Sequence, residues 1–348
     1  MNIKEELRGC SKEVEGNLFT LGEEGYWSNL NRDEGKKLVG LLQRMTTKEA
    51  ISKYHPDLFD VIFSAKRPAG LEMLGLSGDE ACVDCGCMWG ALTIPLAKRC
   101  RHVLGIDQTM DSLKFLNKRA AEEGLDNIDL LCGDIRKVGI FKNRFDVAIV
   151  NGVLEWIPEE GSIELKSYFG KFSQKRYAAD PGRQQMEFLK KVHQNLKAGG
   201  KLYLAIENRF DAKMFLGIND PHANMPLVSV LPRALASCVS FMMLGRPYVN
   251  WLYSFNGIRS LLKRSGFSAV ELYMSFPDYR FPERIIPYTG SLKDIPEDLI
   301  YLKSGNANNK KPFIKKAARK IYNGCQWLTY KFLNIRRAAP SIIAIGYK

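Results

Sequence analysis

Between residues 81 and 206 short apolar runs alternate with amphipathic segments, and that alternation admits few folds. The runs at 81–84, 102–107, 128–131, 145–150 and 201–206 are rich in Val, Ile and Leu and too short to be buried helices. They read as strands covered on both faces. The intervening stretches at 90–99, 111–123 and 186–196 carry apolar residues at helical spacing; Asp111 is the expected N-cap of the second, and Gly199-Gly200 the stop of the third. A further helix at 254–265 ends at Gly266 and leads to a sixth strand at 270–274, and residues 341–347 read as a seventh. Such alternation implies right-handed crossovers between parallel strands. The expected fold is α/β: a doubly wound, mostly parallel sheet of seven strands, with N-terminal helices and an insertion before the last strand.

Four regions follow: an N-terminal helical or lid region at 1–75, with helical pieces at 34–44 and 57–65, a core at 76–280, a basic insertion at 281–340 and a final strand at 341–348. Hydrophobic residues make up 45% of the chain and charged residues 26%, enough apolar material for a core of this size. Residues 1–9 lack the apolar run of a secretory signal, and the longest apolar stretch, 234–245, is too short to span a bilayer. A cytoplasmic location is expected, and with it eight reduced cysteines. Cys82, Cys85 and Cys87 lack a second Cys/His pair at matching spacing, so no metal is expected there.

The most informative segment is Val83-Asp84-Cys85-Gly86-Cys87-Met88-Trp89-Gly90-Ala91-Leu92-Thr93. A strand ending in an acid, followed by a glycine turn into a helix, brings backbone close to a ligand at the carboxyl edge of a sheet. Gly86 and Gly90 are separated by three residues, which fits the G-x-G-x-x-G dinucleotide fingerprint poorly and weakens the case for an NAD-dependent oxidoreductase. Three more polar groups end successive strands: Asp107-Gln108, Gly133-Asp134-Ile135, and Asn151 in the run Asn151-Gly152-Val153-Leu154-Glu155-Trp156. One acid at a strand end is ordinary turn chemistry. Four in a row point to a single ligand.

In these features the chain resembles the class I S-adenosylmethionine-dependent methyltransferases over roughly residues 71–274, with Met88 where that family's acidic-x-Gly-x-Gly-x-Gly loop has its middle glycine. The segments Ala205-Ile206-Glu207-Asn208-Arg209-Phe210, Asp220-Pro221-His222 and Pro277-Asp278-Tyr279-Arg280-Phe281-Pro282 are similar to a subgroup often encoded among surface-polysaccharide biosynthesis genes. The resemblance implies S-adenosyl-L-methionine as cofactor. It sets Asp84, Gly86 and Gly90 around the methionine moiety, Asp107 at the ribose, and Asp134 with Ile135 at the adenine; Cys87, Gln108 and Asn151 complete the expected cofactor-binding set, Asn151 facing the place where donor and acceptor meet.

Methyl transfer from a sulfonium is an in-line displacement, dominated by holding the nucleophile close and aligned. A hydroxyl acceptor gains from a base within hydrogen-bond reach. His222 is the first candidate, and Glu155 and Glu207 are the carboxylate alternatives. Glu207-Asn208-Arg209 also reads as a structural acid–guanidinium network, a reading left open here. His55 falls in the lid region, and His102 and His193 fall inside regular elements.

Charge is unevenly placed. The last fifty residues contain no Asp or Glu and carry eleven of the thirteen net positive charges, interleaved with bulky apolar residues such as Trp327, Tyr330 and Phe332. A basic amphipathic helix at 310–337 suits the anionic inner surface of a membrane. The same charge suits RNA phosphates, although no recognisable RNA-binding module accompanies it. The expected activity is O-methylation of a saccharide or lipid-linked glycan acceptor. The rivals are an RNA methyltransferase and a binding module that keeps the fold without catalysis.

Overall fold

The computed structural model describes residues 3–22, 25–26, 28–167, 170–177, 180–300 and 312–348. Its strands are β1 (Lys12–Glu15), β2 (Leu18–Thr20), β3 (Ala81–Cys85), β4 (His102–Asp107), β5 (Ile128–Cys132), β6 (Phe145–Asn151), β7 (Glu159–Ser167), β8 (Gly170–Tyr177), β9 (Leu196–Glu207), β10 (Ala269–Phe276), β11 (Arg284–Pro287) and β12 (Ser341–Tyr347). Ten of them form one sheet in the order β1-β2-β5-β4-β3-β6-β9-β12-β10-β11, and β7 and β8 form a separate antiparallel pair. The sheet therefore has ten strands and not the seven expected from sequence. The additions sit at its two edges, where β2 joins β5 in parallel and β11 folds back on β10. Strands of three and four residues are too short to announce themselves by period.

From β2 to β9 every neighbouring pair is parallel. The last strand, β12, is antiparallel to both β9 and β10, between which it inserts. Its alternation divides the core. Ile342 and Ala344 face one apolar layer with Phe188, Leu189, Val192, Phe255 and Ile258, while Ile343 and Ile345 face the other with Ile94, Leu113 and Leu116. Cys82 and Cys85 fall on opposite faces by the same rule, so the cysteine run cannot converge on an ion. All eight cysteines are free thiols.

Several helix boundaries differ from the sequence expectation. The segment after the glycine loop is helical only over Thr93–Ala97, and the helix before β9 starts at Pro181, held by the Asp180 side chain accepting from the Arg183 N–H. Gly199-Gly200 lies inside β9 and does not close that helix. Asp111 sits in the first turn of the helix Met110–Glu122, whose N-cap is Thr109. In the N-terminal region, Arg32–Leu41 and Thr47–Tyr54 each open with a capping box, Asn31 with Glu34 and Thr46 with Glu49.

Two contacts dock these N-terminal helices on the helix Met110–Glu122. The Thr47 N–H and hydroxyl donate to Glu122 at 3.0 and 2.6 Å. The buried Arg119 guanidinium donates to the carbonyls of Ile62, Trp89 and Gly90 at 3.2–3.3 Å. It also packs against the Phe63 ring, so one side chain ties the N-terminal helices to the glycine loop. Closer in, a Cβ on Gly133 would fall 2.8 Å from Leu21 Cδ1, and one on Gly25 would strike the Gln108 side chain. The chain just after β2 thus crosses above the ends of β4 and β5.

Candidate active site

The loop after β3 is built from backbone geometry that side chains rarely adopt. Gly86 has φ +81° and Gly90 φ +78°, and Met88 between them takes φ +42°. Met88, standing where the family's loop has its middle glycine, takes a glycine-like conformation at a cost of roughly 1–2 kcal/mol for a residue with a Cβ. Neither glycine has room for a substituent: a Cβ on Gly86 would lie 2.5 Å from Val153 Cγ2, and one on Gly90 would run into Leu116 Cδ1. The Gly86 and Cys87 N–H groups donate to the Ile106 carbonyl at 2.8 and 3.2 Å, which stitches the loop to the end of β4.

Asp107 completes that stitch. Its Oδ2 accepts from the Met88 N–H at 3.0 Å and its Oδ1 from the Thr109 N–H at 2.9 Å. Burial pushes its carboxyl up to about 6 in spite of these bonds. Asp84 accepts from the Thr93 hydroxyl at 2.7 Å, and burial raises it to about 6 as well. Asp134 caps the short turn Ile135–Ile140, accepting from the Arg136 N–H and side chain at 2.9 Å. Burial works against its ionisation, yet Arg136 holds the carboxyl below its usual range. Ile135 packs against the core beside it, while Cys87 is buried with its sulfur turned toward Gly105. Asn151 ends β6 opposite Ala205. Asp84, Asp107, Asp134 and Asn151 thus mark the carboxyl ends of four adjacent strands.

Next along the sheet, the three candidate bases come together. Glu155 follows β6 in the short helical turn Leu154–Trp156, Glu207 ends β9, and His222 lies in the loop beyond. His222 Nε2 is 3.7 Å from Glu155 Oε1 and 3.9 Å from Glu207 Oε2, and the His222 and Glu155 side chains are only 4% and 1% exposed. Asp220 stands behind the ring, its Oδ1 3.7 Å from His222 Nδ1. That oxygen also accepts from the backbone N–H groups of His222 and Ala223 at 2.9 Å, and the Tyr248 hydroxyl donates to Oδ2 at 3.1 Å. Trp156 meets the imidazole edge-on with centroids 5.0 Å apart.

Burial alone favours a neutral imidazole. The carboxylates of Asp220, Glu155 and Glu207 outweigh it and push His222 up to about 10. Burial, then the Glu155 charge, raise Glu207 to about 7 against the pull of His222 and Arg280. Carboxyls of different environment crowd a single ring here, an arrangement that sites of chemistry favour.

Sequence reasoning did not assign Tyr279, whose hydroxyl donates to Glu207 Oε1 at 3.3 Å and lies 2.5 Å from where a Gly152 Cβ would stand. The signal was present in Pro277-Asp278-Tyr279-Arg280, a segment with no periodicity to explain it. Arg67 was missed too: its guanidinium donates to the Arg280 carbonyl at 3.1 Å and places positive charge near Asp84 and Tyr279. The acid–guanidinium network read into Glu207-Asn208-Arg209 does not form. Arg209 donates to the carbonyls of Ser229 and Leu231, and Asn208 to those of Arg337 and Ala339. His102 bonds Asp129 at 2.9 Å and His193 packs on Phe267, both away from this end of the sheet.

Residues 82–168, which run from β3 past Asn151 and Glu155, match the model of a family described as a methyltransferase domain. Over this stretch the chain is similar to a methyltransferase domain. A Nostoc protein named an uncharacterized RNA methyltransferase is 29% identical over 87 residues, 24% of this chain and 19% of that protein. A 23S rRNA (uracil(1939)-C(5))-methyltransferase of Aeromonas salmonicida is 28% identical over 110 residues, 30% of this chain and 24% of its own length. The chain thus spans about a fifth to a quarter of these two curated relatives. Among solved structures, a phosphoethanolamine N-methyltransferase of Haemonchus contortus with S-adenosylhomocysteine bound is 14% identical, covering 88% of this chain and 59% of that one at a TM-score of 0.45. The matched stretch contains Asp84, Asp107 and Asp134 and stops before Glu207 and His222.

Proposed function

We propose that the chain transfers the methyl group of S-adenosyl-L-methionine to a hydroxyl of a saccharide or lipid-linked acceptor. The observation that carries this reading is the placement of two sets of groups along one sheet edge. Asp84, Asp107 and Asp134 end adjacent strands beside the glycine loop. Glu155, Glu207 and His222 gather after the next two strands. The first set suits an adenosyl ligand: Asp107 offers remaining lone pairs to ribose hydroxyls, Asp134 an acceptor to the adenine amine, and the Gly86–Gly90 turn clearance for the methionine moiety. The second offers a hydroxyl acceptor groups that take or share its proton. The acceptor oxygen attacks the methyl carbon, the carbon–sulfur bond breaks, and S-adenosylhomocysteine leaves with the electron pair on sulfur.

Support for a lipid-linked acceptor comes from surface character. The helix Arg233–Leu244 exposes Phe241, Met242 and Met243, and the segment after Trp327 exposes Leu328, Phe332 and Leu333. Lys320 and Arg337 are exposed, while Arg336 and Lys331 donate to backbone carbonyls of residues 288–289 and 293. Apolar anchors with basic neighbours match an anionic bilayer surface. No described helix is long and apolar enough to cross a membrane. The basic residues at 303, 310 and 311 lie outside the described residues.

Incubation with donor labelled on the methyl group and fractionated cell extract tests the acceptor class. Label is expected in the saccharide or glycolipid fraction, and label confined to RNA establishes the rival activity. Calorimetry with S-adenosylmethionine showing no binding by folded protein would leave only the binding-module alternative. Sedimentation with anionic vesicles, weakening as salt rises, tests the surface; equal sedimentation with neutral vesicles removes the charge argument.

A further inference from the structure

We propose that Glu155, Glu207 and His222 are the protein ligands of a divalent first-row cation, Mn2+ or Zn2+ being the probes of choice. Their ligand atoms all lie within 4.8 Å of one another, the one such grouping of three His, Cys, Asp or Glu side chains found among the described residues. The 3.7 and 3.9 Å separations from His222 Nε2 are too long for hydrogen bonds. They are close to the edges of a coordination shell: two ligands each about 2.1 Å from one metal stand roughly 3.0–3.6 Å apart.

A second observation is independent of the clustering. Among the described residues, Glu155 Oε2 and Glu207 Oε2 are buried without a hydrogen-bond partner. Buried carboxylate oxygens are costly unless hydrogen-bonded or coordinated, and the Glu155 side chain is 1% exposed. A dication between them satisfies both carboxylates at once. The surroundings also suit coordination. His222 Nδ1 points toward Asp220, the direction in which a metal-bound imidazole gives its remaining N–H to a carboxylate, and Tyr279 holds Glu207 from behind. The Asn250 side chain fixes Glu155 through its carbonyl at 3.1 Å.

Two carboxylates and one imidazole form a mixed hard and borderline set with no thiolate, which favours Mn2+ or Zn2+ over Cu(I). Three protein ligands leave positions open for water or substrate. The role of the ion rests on the methyl-transfer reading above. An acceptor hydroxyl bound there loses its proton to water more readily, and the resulting oxygen attacks the methyl carbon as the sulfonium leaves as a thioether.

The test uses the full chain, stripped with chelator and titrated calorimetrically with Mn2+ and with Zn2+, with the electron paramagnetic resonance of Mn2+ as a second readout. One bound equivalent is expected. Glu155→Gln and His222→Gln are expected to abolish it, and Tyr279→Phe and Asp220→Asn to weaken it about 10–100-fold. Circular dichroism checks that each variant is folded, and the milder pair keeps the test decisive if the first pair is not. No binding of either ion, or binding unchanged in the folded variants, overturns the proposal. S-adenosylmethionine affinity is measured alongside. Donor binding without metal binding sinks the ion and leaves the transferase reading standing; metal binding without donor binding does the reverse.

Discussion

The two halves of the site are built by different means. The donor side, from Asp84 to Asn151, is one continuous stretch in which each strand is followed by its own polar residue, and its contacts are backbone stitches such as Met88 to Asp107. The acceptor side is assembled from Glu155, Glu207, His222 and Tyr279, spread over more than a hundred residues and held by side chains touching side chains. The first half fixes a shape that a common ligand can use. The second places chemistry that the strand pattern does not dictate. Family matching follows this division in part, covering residues 82–168 with Glu155 among them and leaving Glu207, His222 and Tyr279 outside.

If the division holds, His222→Ala is expected to reduce turnover by about 10²–10⁴-fold while leaving donor affinity unchanged. Steady-state rates beside calorimetric binding of S-adenosylmethionine decide this, and a parallel loss of donor affinity would merge the two halves. Gly90→Ala probes the opposite side. Its added Cβ meets Leu116 at a φ of +78°, so overpacking and backbone strain together are expected to cost about 2–4 kcal/mol in denaturant unfolding. A change below half a kilocalorie would show that the loop moves freely. Asp107→Ala comes next. Loss of charge-assisted bonds to ribose is expected to weaken donor binding by about 1.5–3 kcal/mol, with acceptor chemistry unaffected at saturating donor. Unchanged affinity would remove Asp107 from the donor site.

The same division explains what the sequence made legible. Strand positions, the acid at each strand end and the glycine turn could be read because period and turn chemistry are local. His222, Glu155 and Glu207 were singled out only as polar residues following strands, and nothing local told that their side chains meet. Tyr279 and Asp220 escaped assignment because their value lies in partners 72 residues and two residues away respectively, the latter through backbone N–H groups. The edge strands β1, β2 and β11 escaped for a different reason. They are held by pairing to a pre-formed sheet, and three or four residues carry too little pattern of their own.

Acidification separates the halves most finely, because Asp107 pulls in two directions. Its folded carboxyl titrates at about 6 against an ordinary value of 3.8, so between those pH values the folded chain holds a proton that the unfolded chain has released. Stability of the unliganded protein attributable to Asp107 therefore falls as pH rises from 4 through 6 and is flat above, a slope of at most about 1.4 kcal/mol per pH unit. Donor binding has the opposite sign, since ribose hydroxyls need the carboxylate; affinity is expected to drop by up to about tenfold per unit below pH 6. Asp84 faces Thr93, Asp107 and Arg67 and titrates in the same window, whereas Asp134 is held low by Arg136, so Asp107→Asn serves as the reference. Subtracting its urea-unfolding and calorimetric profiles from those of the unaltered chain isolates the one carboxyl. Two difference curves of the same sign would mean that Asp107 meets the donor as an acid, and the ribose assignment would fall with it.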